Sequence, residues 1–183
     1  NKATGLDYAL RELGLSRHEV VGIGDAENDQ SFLRHCECAV AVANAAASTR
    51  EVADIVTSAE NGDGVIELID ELIADDLQRT TGKLTRNLIA LGLRADGSEV
   101  QLPPYGHNLL VAGPSGCGKS TLTAGLIERL IDKDYQVCVV DPEGDYGTMR
   151  NLVALGNQWR APSVQEVLAI LEDPKISLSI NLL

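Results

Sequence analysis

The sequence predicts an α/β fold built as two Rossmann-like, three-layer units, each holding part of a parallel sheet. Three observations carry this. Short apolar runs of strand length alternate with amphipathic helical stretches, the pattern of strands joined by helical crossovers. The composition is 44% hydrophobic but only 3% aromatic, so Val, Ile, Leu and Ala must fill the core, as suits buried parallel strands under helices. Finally, hydrophobic periodicity and charge balance both break at residues 78–86, dividing the 183 residues into units at 1–77 and 87–183 joined by a linker.

In the first unit, Leu6, Ala9, Leu10 and Leu13 share one face of a short helix that Gly14 closes. Glu19 to Gly24 is a strand, and an acidic loop follows from Asp25 to Asp29. A short helix through Phe32 and Leu33 leads to a second strand, Cys38 to Val42. A helix around Ser48 to Ala53 and a strand Asp54 to Thr57 come next. From Gly64 to Leu77 the residues Val65, Ile66, Leu68, Ile69, Leu72 and Ile73 line one side, with Glu67, Asp70, Glu71 and Asp75 between them. This spacing predicts an amphipathic helix with an acidic outer face.

The second unit opens with Leu88 to Leu93, a turn at Ala95-Asp96-Gly97, and Glu99 to Leu102, the pattern of a hairpin. His107 to Ala112 is expected as a buried strand, and Thr121 to Ile131 as a helix with Leu122, Leu126, Ile127, Leu130 and Ile131 at helical spacing. Gln136 to Asp141 is expected as another buried strand ending on an acid. Ser163 to Leu171 is a helix, and Ile176 to Leu182 is strand-like. No internal repeat or low-complexity segment interrupts this order.

The net charge of −12 is unevenly shared: to residue 78 there are 16 acids against 5 bases, and beyond it 11 against 10. An acidic first half argues against a general nucleic-acid surface there, and no basic cluster with interleaved aromatics supports nucleic-acid binding in the second. The four cysteines form no CxxC pair and have no histidines at zinc spacing. Reduced thiols in a cytoplasmic protein is the reading that follows. No apolar stretch reaches membrane-spanning length and the sequence shows no signal-peptide pattern, so a soluble protein is expected. The chain begins with Asn1 rather than Met and stops just after a strand-like run, so it is expected to be a piece of a longer polypeptide.

The most specific motif is Gly113-Pro114-Ser115-Gly116-Cys117-Gly118-Lys119-Ser120, which matches GxxxxGK[ST], the phosphate-cradling P-loop or Walker A sequence. Glycines let the backbone curl so that successive N–H groups face phosphate oxygens. Lys119 is placed to reach the β- and γ-phosphates, the Ser120 hydroxyl to ligand Mg²⁺, and Thr121 continues the cradle into the helix N-terminus, whose dipole favours an anion. The cofactors expected are therefore ATP and Mg²⁺. A P-loop also needs an acid to hold the metal, and Asp141 is the nearest candidate. It is followed by Pro142-Glu143-Gly144-Asp145-Tyr146, which a solvated Pro-Gly turn would equally explain. Tyr146 is a candidate for stacking on adenine.

The second candidate site is Gly24-Asp25-Ala26-Glu27-Asn28-Asp29, directly after a strand, where open α/β sheets bind ligands. Asp25 and Asp29 offer the hard oxygens that Mg²⁺ prefers, and Lys2 upstream could face a phosphate. A solvated Asp-rich turn is the structural alternative. The wider pattern of Asn1-Lys2, Gly24-Asp25-x-x-Asn28-Asp29, Val40 to Ala45, Ala53 to Thr57 and Asp63-Gly64-Val65 resembles the C-terminal part of haloacid dehalogenase (HAD) superfamily hydrolases of the Cof type, over residues 1–74. That resemblance implies that Lys2 steadies a phosphoryl group, Asp25 binds Mg²⁺, Asn28 and Asp29 order the loop, and Asn44 lies near the site. The family's nucleophile motif, DxDx[TV], does not occur in the sequence, and neither does its Ser/Thr motif. No phosphoaspartyl intermediate can form without that nucleophile.

Gly113 to Ser120 together with Val139-Val140-Asp141-Pro142-Glu143-Gly144-Asp145-Tyr146 resembles HerA/FtsK-type ATPases over residues 86–183. This implies ATP binding and, in the complete protein, hydrolysis by an oligomeric motor with further Walker B acids past Leu183. ABC-type ATPases share the string GPSGCGKST, but their LSGGQ signature is absent, while small-metabolite kinases remain open with Asp141 as their acid. The expected partners are thus a nucleotide and a phosphorylated metabolite. Three readings compete: an ATPase domain fused to a HAD tail, a phosphatase with a regulatory P-loop unit, and a nucleotide-switched module. His18, His35 and His107 do not cluster in sequence, and Trp159 is expected to be a packing residue rather than one that stacks on a base.

Overall fold

A computed structural model describes residues 1–182. They divide into two compact units, Asn1–Asn87 and the described residues from Leu88 onward. In the first, helix α1 (Lys2–Leu13) is capped by the Asn1 side chain and closed by Gly14 in the left-handed region, where a residue without Cβ is unstrained. Strands β1 (Val21–Gly24), β2 (Cys38–Ala41) and β3 (Ile55–Val56) form a parallel sheet in that order. Helices α2 (Gln30–Leu33) and α3 (Ala47–Val52) connect the strands, and α4 (Asn61–Asp75) follows β3.

The two faces of this sheet carry residues of different size. Gly22 and Ala39 sit opposite each other in register, and a Cβ on Gly22 would stand 2.6 Å from Cys36 Sγ and 3.0 Å from the Phe32 ring. Small residues on this face let α2 approach closely. On the other face Cys38 and Val40 form a core with Leu68 and Leu77, joined by Val21, Ile23, Ile55, Leu72 and Leu84. All four residues of β2 are buried, as a central parallel strand requires. The apolar stripe of α4 is wider than its buried face: Leu68 is buried and Val65 and Leu72 pack inward, but Ile66, Ile69 and Ile73 are exposed.

Residues 78–86, expected as a linker, lie within the first unit. Arg86 is the physical reason. Its guanidinium donates to the carbonyls of Leu33 at 2.8 Å and Val52 at 2.7 Å, the last residues of α2 and α3, and pairs with Asp54 at 3.0 Å. A cation on two helix C-termini satisfies carbonyls that lack intrahelical donors.

The second unit starts with an antiparallel hairpin, β4 (Ile89–Leu93) and β5 (Glu99–Leu102), irregular between Ala90 and Gly92. Helix α5 (Lys119–Asp132) follows the P-loop and packs on β4. Strands β6 (Cys138–Asp141), β7 (Leu152–Leu155) and β8 (Ser177–Asn181) form a second parallel sheet, ordered β6-β8-β7. Helix α6 (Val164–Leu171) begins at a capping box between Ser163 and Glu166 and packs on β8.

Sequence expectations fail at four places in this unit. Residues 107–112 are not a strand: among the described residues they have no ladder partner, and Leu110 is 88% exposed. An apolar run supplies β-propensity, but a strand exists only where a neighbour accepts and donates its hydrogen bonds. Strand β6 is not fully buried either, since Cys138 is exposed and Val140 is 62% exposed. Trp159 is 85% exposed rather than packed, on a turn where the Asn157 side chain accepts from the amides of Trp159 and Arg160. Strand β7 was not expected at all.

Candidate functional site

In the first unit β1 ends at Gly24 and the chain turns through Asp25 and Ala26 into one 3₁₀ turn, Glu27–Asp29. Asp29 is buried, and one of its carboxylate oxygens accepts the backbone N–H groups of Asp25 at 3.0 Å and Ala26 at 3.2 Å. Its other oxygen takes the Lys2 ammonium. A Cβ on Gly24 would lie 2.7 Å from the Asp29 Cβ, so glycine is what lets this carboxylate fold back under its own loop. Burial alone would push the Asp29 carboxyl up. The hydrogen bonds from Lys2 and from the Asp25 and Ala26 amides outweigh it, holding the group below its ordinary value.

Lys2, Gly24, Asp25, Asp29, Phe32 and Asn61 line a cleft of about 660 Å³. The Lys2 ammonium stands 5.9 Å from the Phe32 ring centroid, and α1 brings it here by packing on α2. Lys2, Asp25 and Asp29 therefore meet, but with different duties. Asp29 spends its oxygens on the loop and on Lys2, whereas the exposed Asp25 side chain keeps its oxygens for solvent or a metal. Asn28 is exposed on the same turn.

Asn44 donates to the Asn61 side chain at 2.8 Å and accepts the Asn61 amide at 3.0 Å. Asn61 adopts φ 52 and lines the cleft, a wall residue that sequence reading missed. The Asn-Gly dipeptide at 61–62 is a turn signal and the one clue available.

In the second unit, Gly116 and Gly118 adopt φ 78 and φ 92 with open space where a Cβ would point. The loop they shape enters α5 at Lys119, so first-turn N–H groups face the loop. Lys119 donates to the Pro114 carbonyl at 2.9 Å, and the Ser120 hydroxyl donates to Asp145 Oδ2 at 3.3 Å. Thr121, Leu91, Gly118, Leu122, Gly125 and Glu128 line an adjoining groove of about 670 Å³. The exposed Cys117 thiol lies against Gly113, where a Cβ would be 2.6 Å from Sγ. These features fit a nucleoside phosphate: left-handed glycines, a lysine resting on its own loop, and hard oxygens for a magnesium ion.

The two acids after β6 divide in the same way as those after β1. Asp141 is 1% exposed and its carboxylate accepts the amides of Asp145 at 3.0 Å and Tyr146 at 2.9 Å. Asp145 is exposed and accepts from the Ser120 hydroxyl. Gly144 at φ 76 allows the turn between them.

His18 pairs with Glu37 and His35 approaches Asp7 at 3.8 Å. Burial raises the Cys36 thiol to about 11 and the Cys38 thiol to about 12, while Cys117 and Cys138 are exposed. Among the described residues no three His, Cys, Asp or Glu side chains converge as a metal site, and no helix is long and apolar enough to cross a membrane.

Residues 1–69 match the family model for haloacid dehalogenase-like hydrolases, and residues 100–183 match the model for the central domain of helicase HerA. A phosphoglycolate phosphatase of Methanothermobacter thermautotrophicus is 45% identical over 69 residues, 38% of this chain and 31% of that protein. Phosphoglycolate phosphatase 2 of Saccharolobus solfataricus is 41% identical over 65 residues, 36% of this chain and 28% of that protein. A crystal structure of a haloacid dehalogenase-like hydrolase from Bacteroides thetaiotaomicron is 36% identical with a TM-score of 0.38, covering 39% of this chain and 27% of that one. The chain thus spans only about 30% of the length of these curated relatives.

Proposed function

We propose that the second unit binds ATP with Mg²⁺ at Gly113 to Thr121, as part of a HerA-type ATPase, and that the first unit is the metal-binding end of a HAD-type phosphatase. The single observation that supports the nucleotide reading best is the loop itself. Gly116 and Gly118 hold left-handed conformations that cost an L-residue about 1–2 kcal/mol, and they turn the backbone directly into the N-terminus of α5. Lys119 would exchange the Pro114 carbonyl for phosphate oxygens, and Ser120 would turn its hydroxyl to the metal. Mg²⁺, when bound, would neutralise phosphate charge and orient the terminal phosphates.

The test is a titration of the chain with ATP and Mg²⁺, reading melting temperature and turnover separately. Saturation at 100 times Kd should stabilise the second unit by about 2.7 kcal/mol. Lys119→Ala should abolish that gain while leaving the nucleotide-free melting temperature unchanged. A nucleotide response that survives Lys119→Ala would refute the assignment.

For the first unit, the cleft beside Lys2 and Asp25 suits a small phosphomonoester of the kind named for the phosphoglycolate phosphatases. Lys2 would face the phosphoryl group, Asp25 would ligand Mg²⁺ and Asp29 would hold both in place. DxDx[TV] is absent from residues 1–183, so this chain alone should not hydrolyse phosphoglycolate. Hydrolysis that Asp25→Ala abolishes would overturn that statement.

A further inference from the structure

We infer that Asp145, not Asp141, is the carboxylate that shares the nucleotide's magnesium ion with Ser120. This rests on the nucleotide reading of the P-loop and assigns it a residue. Both acids follow β6, and sequence position favours Asp141 because it ends the strand. Its environment does not. Asp141 is 1% exposed, and its two oxygens accept one amide each, from Asp145 and Tyr146. Turning it toward a metal would leave two N–H groups without their partner, a penalty of about 1–3 kcal/mol for each buried donor.

Those same two hydrogen bonds aim the neighbouring acid. They fix the backbone of residues 145 and 146, and the Asp145 side chain then projects to Ser120, its Oδ2 lying 3.3 Å from the hydroxyl of the motif residue that ligands the metal in a P-loop. A hydroxyl and a carboxylate already within hydrogen-bond distance are two hard oxygens on one side of a would-be ion. An ion entering between them replaces a single hydroxyl-to-carboxylate hydrogen bond, with Asp145 supplying the negative charge that Ser120 lacks. Asp141 is on this account a positioning residue.

Calorimetric titration of the 183-residue chain with ADP, once in Mg²⁺ and once in EDTA, tests the assignment without requiring turnover. The unaltered chain should bind ADP more tightly in Mg²⁺. Asp145→Asn should weaken binding in Mg²⁺ by about tenfold, the lower end of what a metal-supporting side chain contributes, while leaving binding in EDTA unchanged or slightly tighter. Asp145→Glu should restore part of the Mg²⁺ effect. Asp145 is exposed, so Asp145→Asn should melt with the unaltered chain, whereas Asp141→Asn should lower the melting temperature. An Mg²⁺ effect of full size in Asp145→Asn overturns this inference and leaves nucleotide binding intact. Absence of ADP binding in both conditions by the unaltered chain refutes the nucleotide reading, and the inference with it.

Discussion

The loops after β1 and β6 use one device in two units. In each, a buried aspartate accepts two backbone amides: Asp29 those of Asp25 and Ala26, Asp141 those of Asp145 and Tyr146. In each, the loop presents a second, exposed aspartate. They differ in where the lysine goes. Lys2 is bound to the buried acid of the first loop, whereas Lys119 rests on a carbonyl of its own P-loop. The first site is thus locked by a charged contact to its clamp, and the second keeps its cation separate from its clamp. An acid at a strand end is therefore not a metal ligand by position alone. Backbone amides consume one carboxylate and free the other.

The largest effects should come from the clamps. Asp29→Ala should destabilise the first loop by about 3 kcal/mol, because it strands two amides and ends the pair with the half-exposed Lys2 ammonium. Asp141→Ala, which strands amides alone, should cost about 2–3 kcal/mol. Hydrogen exchange at the amides of residues 25 and 26, and of 145 and 146, reads each loop separately. Equal losses would erase the difference that Lys2 makes.

Glycines sharpen the comparison at the next level down. Gly24→Ala forces a Cβ to 2.7 Å from Asp29 and should cost about 2 kcal/mol in denaturant unfolding, through overpacking. Gly116→Ala meets open space and should cost only about 1 kcal/mol, from the left-handed φ. If Gly116→Ala proves the more damaging, the P-loop is held more rigidly than its exposed surroundings imply.

Acid should separate the units further. Asp29 binds its proton more weakly when folded than unfolded, so its contribution is present above the ordinary value of 3.8 and is lost as pH falls through the lower folded value. Asp29→Asn should remove that acid-side loss from the first unit. In the second unit the Arg160 guanidinium and the Ser163 amide and hydroxyl hold Glu166 at about 2, so its small contribution is lost as pH falls from 4.5 towards 2. Circular dichroism of the unaltered chain and of Asp29→Asn between about pH 5 and pH 2 tests both signs. The smallest perturbation is thiol labelling at neutral pH. Cys117 and Cys138 should react in the native state, while Cys36 and Cys38 should stay protected until unfolding.

Much of the first unit was legible because its signals are local. Gly14 at a helix end, the four-residue buried run of β2, and the helical spacing of Leu68 and Leu72 each need only near neighbours. The linker at 78–86 misled because Arg86 acts at long range, closing helix ends 34 and 53 residues away in the chain. Residues 107–112 misled for the complementary reason, since an apolar run does not create a ladder partner. Trp159 shows the same limit: hydrophobicity favours burial, but the turn set by Asn157 holds that indole outward.

The sequence by itself determined the α/β class and pointed to both loops. Strand alternation, P-loop spacing and the Gly-Asp-x-x-Asn-Asp run are patterns along the chain, and local stereochemistry suffices to interpret them. Only the tertiary structure decided which aspartate in each loop is spent and which is presented. Asp25 and Asp29, like Asp141 and Asp145, are alike as residues. Their roles diverge only when folding buries one carboxylate against two amides and leaves the other in solvent, because burial makes hydrogen bonding to the nearest donors obligatory.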